Sequence, residues 1–153
     1  MGYQPRGKTF DELQIGDEFW TANRTVTETD IVLFAGISGD FNPLHTDQLT
    51  MEKTPFGGRI AHGMLVSSIA TGQINQLGVW EGTTIGLLEM VLRWTAPVKA
   101  GDTIRTVQRI VDKVPSSKVD RGTVHVEMAV YNQRDEQVMA SNLKVLVQRK
   151  GGG

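Results

Sequence analysis

The stretch that decides the fold is AGISGDFNPLHTDQLTMEKTPFGGRIAHGMLVSSIATGQINQL, residues 35–77. It places a carboxylate, Asp40, and an imidazole, His45, five positions apart in a segment rich in turn-forming residues. Further along, a helix is predicted to begin at His62-Gly63. An acid/base pair that faces a helix N-terminus holds the groups needed to add or remove water beside a polarised carbonyl.

The composition is that of an ordinary globular domain. The chain has 153 residues, of which 39% are hydrophobic and 22% charged, and a formal net charge of -1. The near-neutral charge argues against a general nucleic-acid-binding protein, which would be basic. Because there is no cysteine, disulfides, thiolate metal ligands and cysteine nucleophiles are excluded. We expect a single domain over residues 1–153, with a core at about 13–149.

Targeting signals are not evident in the sequence. The chain opens without a basic segment followed by an apolar run, which is the pattern of a secretory signal. Its longest uncharged stretch, Ile60–Trp80, carries several polar side chains, so a membrane span is not expected. We therefore expect a cytoplasmic protein with no membrane partner, and we assign no role to the terminal Gly151–Gly153.

The first part of the chain is predicted to alternate short elements with turns. A strand is expected over residues 18–26, and Thr27 then reads as a helix N-cap with Asp30 in the first turn. That helix is expected to end at the loop Gly39–Thr46, and Thr46-Asp47 is expected to cap a second, short helix.

The helix predicted over Ala61–Leu77 differs from the others because it contains no charged residue. Small residues recur along it among larger apolar ones, which indicates close packing against its backbone. A helix that is apolar nearly all round is expected to be buried nearly all round.

Four strands are predicted after this helix, over Thr83–Thr95, Thr103–Val111, Thr123–Tyr131 and Gln137–Gln148. Strands that follow one another with short links are expected to pair antiparallel. One long helix and a following sheet predict an α+β fold in which the sheet wraps the helix. The residues expected to share one face of a strand are Gly86, Leu88, Met90, Leu92 and Trp94 in the first, Val124, Val126, Met128 and Val130 in the third, and Met139, Leu143, Val145 and Val147 in the fourth.

Three motifs, SGDFNPLHTD (38–47), GGRIAHGML (57–65) and APVKAGDTI (96–104), resemble the MaoC-like dehydratase family, and in particular its (R)-specific enoyl-CoA hydratases. The resemblance implies a hot-dog fold, in which a curved antiparallel sheet wraps one long central helix. It also implies a homodimer joined through the sheets, with higher oligomers possible. The implied substrate is a trans-2-enoyl thioester with CoA as the common carrier, although a thioester of an acyl carrier protein stays open, and no separate cofactor is implied.

The catalytic residues of that family fall on Asp40 and His45, and its oxyanion donor falls on the Gly63 amide. The residues themselves favour the same chemistry, because hydration needs a base to activate water and an acid to deliver a proton to Cα. We expect Asp40 and His45 to hold one water between them, with the identity of the proton donor left open. Unpaired N–H groups at the start of a helix would stabilise the enolate.

Other polar residues near these motifs have weaker assignments. Asn42 and His62 are candidate substrate-binding residues, although Asn42 also suits orientation of the loop and His62 also suits bracing of the helix start. Ser67 and Ser68 are expected to pack, and His125 is expected to be solvated or at an interface. Basic side chains for the CoA phosphates could come from a set whose members are not distinguished by sequence: Arg59, Arg93, Lys99 and Arg105.

Other classes of site receive little support. No metal site is expected, because the three histidines contain no pair four residues apart. No glycine-rich nucleotide loop follows a strand, and no G-x-S-x-G motif occurs.

Two alternatives to a hydratase stay open. A thioesterase on the same fold would use one carboxylate at the carbonyl carbon and would release free thiol. A non-catalytic subunit that binds acyl thioesters would have no use for a matched acid and base.

Overall fold

The computed structural model describes residues 2–150 of the chain, so the terminal Gly151–Gly153 lie outside the described residues. In chain order its elements are β1 (Glu18–Trp20), β2 (Arg24–Thr25), α1 (Glu28–Ser38), α2 (Pro43–Thr46), α3 (Gln48–Glu52), α4 (Gly63–Gln76), β3 (Thr84–Trp94), β4 (Thr103–Pro115), β5 (Arg121–Tyr131) and β6 (Gln137–Gln148). The strands form an antiparallel sheet of order β1-β4-β5-β6-β3, and β2 also pairs with β4. The α+β prediction is confirmed.

All consecutive strands after α4 were predicted to pair. This prediction is right for the pairs β4–β5 and β5–β6, but it is wrong for β3 and β4, which do not pair. Strand β3 lies beside β6 at one end of the sheet. The link that follows β3 leaves the sheet instead of forming a hairpin, because Val98 within it is buried and its carbonyl accepts a 2.7 Å hydrogen bond from the Ala61 N–H. This link is therefore attached to the segment that leads into α4.

The predicted inward faces are confirmed in β5 and β6, where every residue expected to share a face is buried. The prediction is only partly right for β3, where Met90 and Leu92 pack against the core but Leu88 and Trp94 are about half exposed. The pairing register of β3 shifts between Leu87 and Glu89. A bulge of this kind interrupts the alternation of side chains, so a strict two-residue period does not hold along the strand.

Helix α4 packs one side against the sheet, and it begins at Gly63, within the expected His62-Gly63 start and two residues after the start of the predicted range Ala61–Leu77. Its buried residues include Leu65, Ile69 and Ile74, whereas the opposite side exposes Met64 and other small or polar residues. The prediction of burial nearly all round is thus wrong for the single chain, because the sheet covers only one side of the helix.

A buried glutamine explains why the strand expected over residues 18–26 is divided into β1 and β2. Gln73 of α4 donates hydrogen bonds to the carbonyls of Ala22 and Ile104, at 2.9 and 3.2 Å, and accepts one from the Thr106 hydroxyl at 3.0 Å. The carbonyl of Ala22 is therefore used by the helix, and it is not available to the ladder with β4.

The N-terminal segment packs further into the fold than the expected core boundary at residue 13. Phe10 is buried, and its ring lies so close to Gly122 that a Cβ there would come within 2.5 Å. Among residues 2–150, no helix is long and apolar enough to cross a bilayer.

Helix α1 begins and ends as predicted. Thr27 and Asp30 form a reciprocal capping box, and Gly39 ends the helix in the left-handed conformation at φ 74°. Burial raises the pKa of the Asp30 carboxyl, but hydrogen bonds from Thr27 and the nearby Arg24 outweigh it and leave the pKa below its usual value.

The loop predicted over Gly39–Thr46 contains one helical turn that was not expected, α2. Asn42 is its N-cap and Pro43 its first residue, a position where the missing proline N–H costs nothing. The predicted cap of the next helix, α3, is confirmed as Asp47. Hydrogen bonds from the Thr50 hydroxyl and N–H lower the pKa of the Asp47 carboxyl.

We predict that Thr27→Ala lowers the free energy of unfolding by about 1 kcal/mol, because it removes the side-chain acceptor of the α1 cap. Thr29→Ala is the matched control, since Thr29 is exposed in the same helical turn and has no role in the cap. Urea unfolding followed by circular dichroism measures both. Equal stability of the two variants would contradict the importance of the cap.

Candidate active site

A cavity of about 770 Å³ lies where α1, α2 and the link between β3 and β4 meet the start of α4. Four of the predicted site residues line it: Asp40, His45, His62 and Gly63. The rest of the wall is mainly apolar and includes Phe34, Leu44, Phe56, Val66, Trp94 and Val138. The predicted polar residues are thus brought together on the wall of an apolar cavity.

Asp40 and His45 face each other across a short gap. The distance from Asp40 Oδ2 to His45 Nε2 is 3.8 Å, which is too long for a direct hydrogen bond. An oxygen atom can lie about 2.8 Å from both atoms at this separation. The pair therefore has the geometry needed to hold one water molecule between an acid and a base.

The tautomer of His45 and the position of one of its ring atoms are set by the backbone. Its Nδ1 lies 2.7 Å from the carbonyl oxygen of Ile60, and because a carbonyl can only accept, Nδ1 carries the hydrogen. In the neutral ring this leaves the lone pair on Nε2, the atom that faces Asp40. His45 is buried, whereas the side chain of Asp40 is 51% exposed.

Asn42 supports the loop that carries Asp40. Its backbone N–H donates to Asp40 Oδ1 at 3.2 Å, and its side-chain oxygen accepts from the Leu44 N–H at the start of α2. Through these contacts Asn42 orients the loop, which was one of the two roles expected for it. Direct contact with a substrate stays a prediction for this residue.

His62 contacts both members of the pair. Its Nε2–H donates to the backbone carbonyl of Asp40 at 2.9 Å, and its ring stacks on that of His45 with 3.7 Å between centroids and 25° between planes. Phe34 packs against His62 at 5.0 Å. His62 is the N-cap of α4, but its side chain makes no capping hydrogen bond. His62 therefore does not cap the helix start as expected, and its contacts are with the loop of Asp40 and the ring of His45.

Gly63 lies against an aromatic ring. A Cβ at this position would come 2.7 Å from the indole of Trp94, whose Nε1–H donates to the Gly63 carbonyl at 2.8 Å. Only a residue without a side chain fits here while the indole keeps this position. As the first residue of α4, Gly63 also belongs to the turn whose N–H groups lack helical partners.

The basic residues considered for CoA binding have separate surroundings. Arg59 forms an ion pair with Glu28, at 2.6 Å, and Lys99 donates to the carbonyl of Phe56, which lines the cavity. Arg105 lies over the rings of Trp20 and Tyr131 in a different part of the molecule. Of the four candidates, Arg59, Arg93 and Lys99 are next in sequence to residues of the cavity wall, and Arg105 is not.

His45 and His62 lie close together in space, although their separation in the sequence was the argument against a metal site. One ligand atom from each of Asp40, His45 and His62 lies within 4.8 Å of the others. A shared ion would have to lie in the plane of both imidazole rings, and two planes with centroids 3.7 Å apart and an inclination of only 25° meet far from the ring nitrogens. The arrangement therefore suits a stack better than a metal centre.

Two functional contacts were not anticipated. Trp94 was predicted only to be the last residue of one face of an alternating strand. Its position just before the motif APVKAGDTI was the one sequence feature that could have indicated a role in the site. The carbonyl of Ile60 had no signal, because any residue at that position offers the same atom.

The comparisons with known proteins match the part of the chain that contains these site residues. The sequence profile of the MaoC like domain matches residues 12–132, which include Asp40, His45 and Gly63. The chain belongs to the MaoC-like family. Protein MaoC of Klebsiella aerogenes is 38% identical over 85% of this chain, although the match spans only 38% of that longer protein. An (R)-specific enoyl-CoA hydratase of Rhodospirillum rubrum is 33% identical over 71% of this chain and 74% of its own length.

Two solved structures agree with the architecture. The monoamine oxidase regulatory protein of Archaeoglobus is 37% identical, with a TM-score of 0.89 over 97% of this chain and 99% of that one. A Mycobacterium tuberculosis protein with a double hotdog fold is 24% identical, with a TM-score of 0.83 over 96% of this chain and 46% of that one. The hot-dog prediction is confirmed.

We predict that Gly63→Ala lowers the free energy of unfolding by about 1–3 kcal/mol, because the new methyl group overlaps the Trp94 indole. Gly36→Ala is the control, since Gly36 lies in α1 with open space where its Cβ would be. It should be neutral or stabilising. Chemical denaturation of both variants measures the difference, and a Gly63→Ala variant as stable as the wild type would rule out the close contact.

Proposed function

We propose that this protein is a hydro-lyase that adds water reversibly to a trans-2-enoyl-CoA and forms the (R)-3-hydroxyacyl-CoA. The observation that carries the proposal is the 3.8 Å approach of Asp40 and His45 on the wall of an apolar cavity. Membership of the MaoC-like family and the relative named as an (R)-specific enoyl-CoA hydratase support the same reaction. The choice of the R product rests on that relative.

The proposed reaction begins with a water held between the two side chains. His45 Nε2 accepts one proton from the water, and Asp40 accepts a hydrogen bond from its other hydrogen. The water oxygen bonds to C3 of the enoyl group, and the electrons of the double bond move to the thioester oxygen as an enolate. The new imidazolium lies 3.8 Å from the Asp40 carboxylate, which stabilises it.

The second half of the reaction returns the proton to the substrate. In our proposal the N–H of Gly63 donates to the enolate oxygen, where one such donor contributes about 3–4 kcal/mol to lowering the barrier. The imidazolium then gives its proton to C2, and the thioester carbonyl forms again. One hydrogen of the water ends on C2 and the other on the C3 hydroxyl, both delivered from the same side.

We also propose the homodimer that the family resemblance implies, with β3 at the interface. β3 pairs with β6 along one edge, and its other edge has no partner strand among residues 2–150. Its exposed apolar side chains are Ile85, Leu87, Leu88, Val91 and Trp94. An edge strand with exposed apolar residues is a ready template for pairing with a second chain.

We predict that Asp40→Asn and His45→Ala each lower the hydration rate of crotonyl-CoA roughly 100-fold to 10,000-fold, because each removes one half of the acid/base pair. The assay follows loss of the conjugated thioester absorbance, with a thiol reagent present in a parallel sample. Asp135→Asn and His125→Ala are the controls, since both residues lie away from the cavity lining.

Three outcomes of that assay would count against the proposed reaction. Wild-type turnover by Asp40→Asn or His45→Ala would contradict the assigned roles. Release of free thiol by the wild type, without loss of the double bond, would favour the thioesterase instead. Tight binding of enoyl-CoA without either reaction would favour a non-catalytic subunit.

We predict that Leu88→Lys converts a wild-type dimer into monomers, because the lysine would place a charge on the β3 edge. Val119→Lys is the control, since Val119 is 87% exposed in the link between β4 and β5. Size-exclusion chromatography with light scattering gives the mass of each. A wild-type mass equal to one chain at micromolar concentration would refute the dimer.

A further inference from the structure

His62 is buried at the start of α4, yet the usual reasons for burying a histidine there do not apply. It occupies the N-cap position but makes no side-chain capping bond. Its Nδ1 is buried and has no hydrogen-bond partner within residues 2–150. A buried polar atom without a partner costs stability, so this ring is not explained by the stability of the fold.

We propose that His62 is a positioning residue that aligns Asp40 and His45 through two separate contacts, an inference that rests on the proposed hydratase function. The first contact is the hydrogen bond from its Nε2–H to the Asp40 carbonyl, at 2.9 Å. This bond ties the loop that carries the carboxylate to the first residue before α4. Without it, the backbone of Asp40 would be held among residues 2–150 only by the hydrogen bond from its N–H to the Ser38 hydroxyl, since the Asn42 N–H binds the side-chain Oδ1.

The second contact is the stack on His45. The bond from His45 Nδ1 to the Ile60 carbonyl fixes one atom of the ring but leaves rotation about the line of that bond. The His62 ring, 3.7 Å away and inclined by 25°, blocks this rotation on one face. Phe34 contacts His62 in turn and keeps it in place. Nε2 of His45 is thereby kept directed at Asp40.

The two contacts can be removed one at a time. His62→Phe keeps an aromatic ring against His45 but has no donor for the Asp40 carbonyl. His62→Gln keeps an N–H donor near the position of Nε2 but has no ring. His62→Leu removes both contacts. His125→Phe and His125→Gln are the matched controls, because His125 is half-buried on β5 away from the cavity.

We expect His62→Phe and His62→Gln to lower kcat roughly 10-fold each, and His62→Leu roughly 100-fold, because small misplacements of reacting groups reduce the rate by such factors. KM for crotonyl-CoA should change less than twofold, and the melting temperature should not fall in parallel with kcat. A rise in KM with unchanged kcat would overturn the proposal and make His62 a substrate-binding residue. Wild-type kcat in all three variants would also overturn it.

A measurement without substrate separates this inference from the proposed reaction. In the wild type, NMR should show slow exchange of the His45 Nδ1 proton and contacts between the ring protons of His45 and His62. Faster exchange of that proton in His62→Gln would support the positioning role even if crotonyl-CoA were not hydrated. Fast exchange and no contact between the two rings in the wild type would overturn it, whether or not the variants fold.

Discussion

The contact on which the site depends is the hydrogen bond from His45 to the Ile60 carbonyl. The N–H of Ile60 returns a bond to the Leu44 carbonyl at 3.0 Å, and the next residue, Ala61, binds the Val98 carbonyl at 2.7 Å. Three connections of the chain therefore meet within two residues, just before α4 begins. The imidazole that faces the cavity is itself one of the groups that close this junction, so the fold fixes the position of its Nδ1, and the stacked His62 ring limits the remaining rotation.

The position of this junction also decides the surroundings in which charge would develop. The cavity wall is mostly apolar, and the polar groups are concentrated where the loop after α1 meets the start of α4. Electrostatic interactions are stronger in such surroundings than in water. In the proposed reaction, a helix N-terminus and a carboxylate at the ends of the same small region can therefore stabilise the enolate oxygen and the imidazolium without large rearrangement.

The features that the sequence predicted correctly are those that depend on residues close together along the chain. The cap at Thr27 depends on local hydrogen bonding and was predicted correctly, and the start of α4 was predicted to within two residues. The stack of His62 on His45 could not be predicted, because it depends on how two distant loops meet. The outward turn of Leu88 could not be predicted either, since it follows from a register shift against β6 that alternation does not record.

The same long-range packing links the site to the proposed dimer. Met64 and Trp94 both line the cavity, and both are about half exposed in the single chain. Met64 lies on the side of α4 that the sheet leaves uncovered, and Trp94 ends the strand whose edge is free. A second chain paired along β3 would therefore lie close to the mouth of the cavity. Because Trp94 also contacts Gly63, a change in the position of Trp94 at that edge would alter the packing at the start of α4.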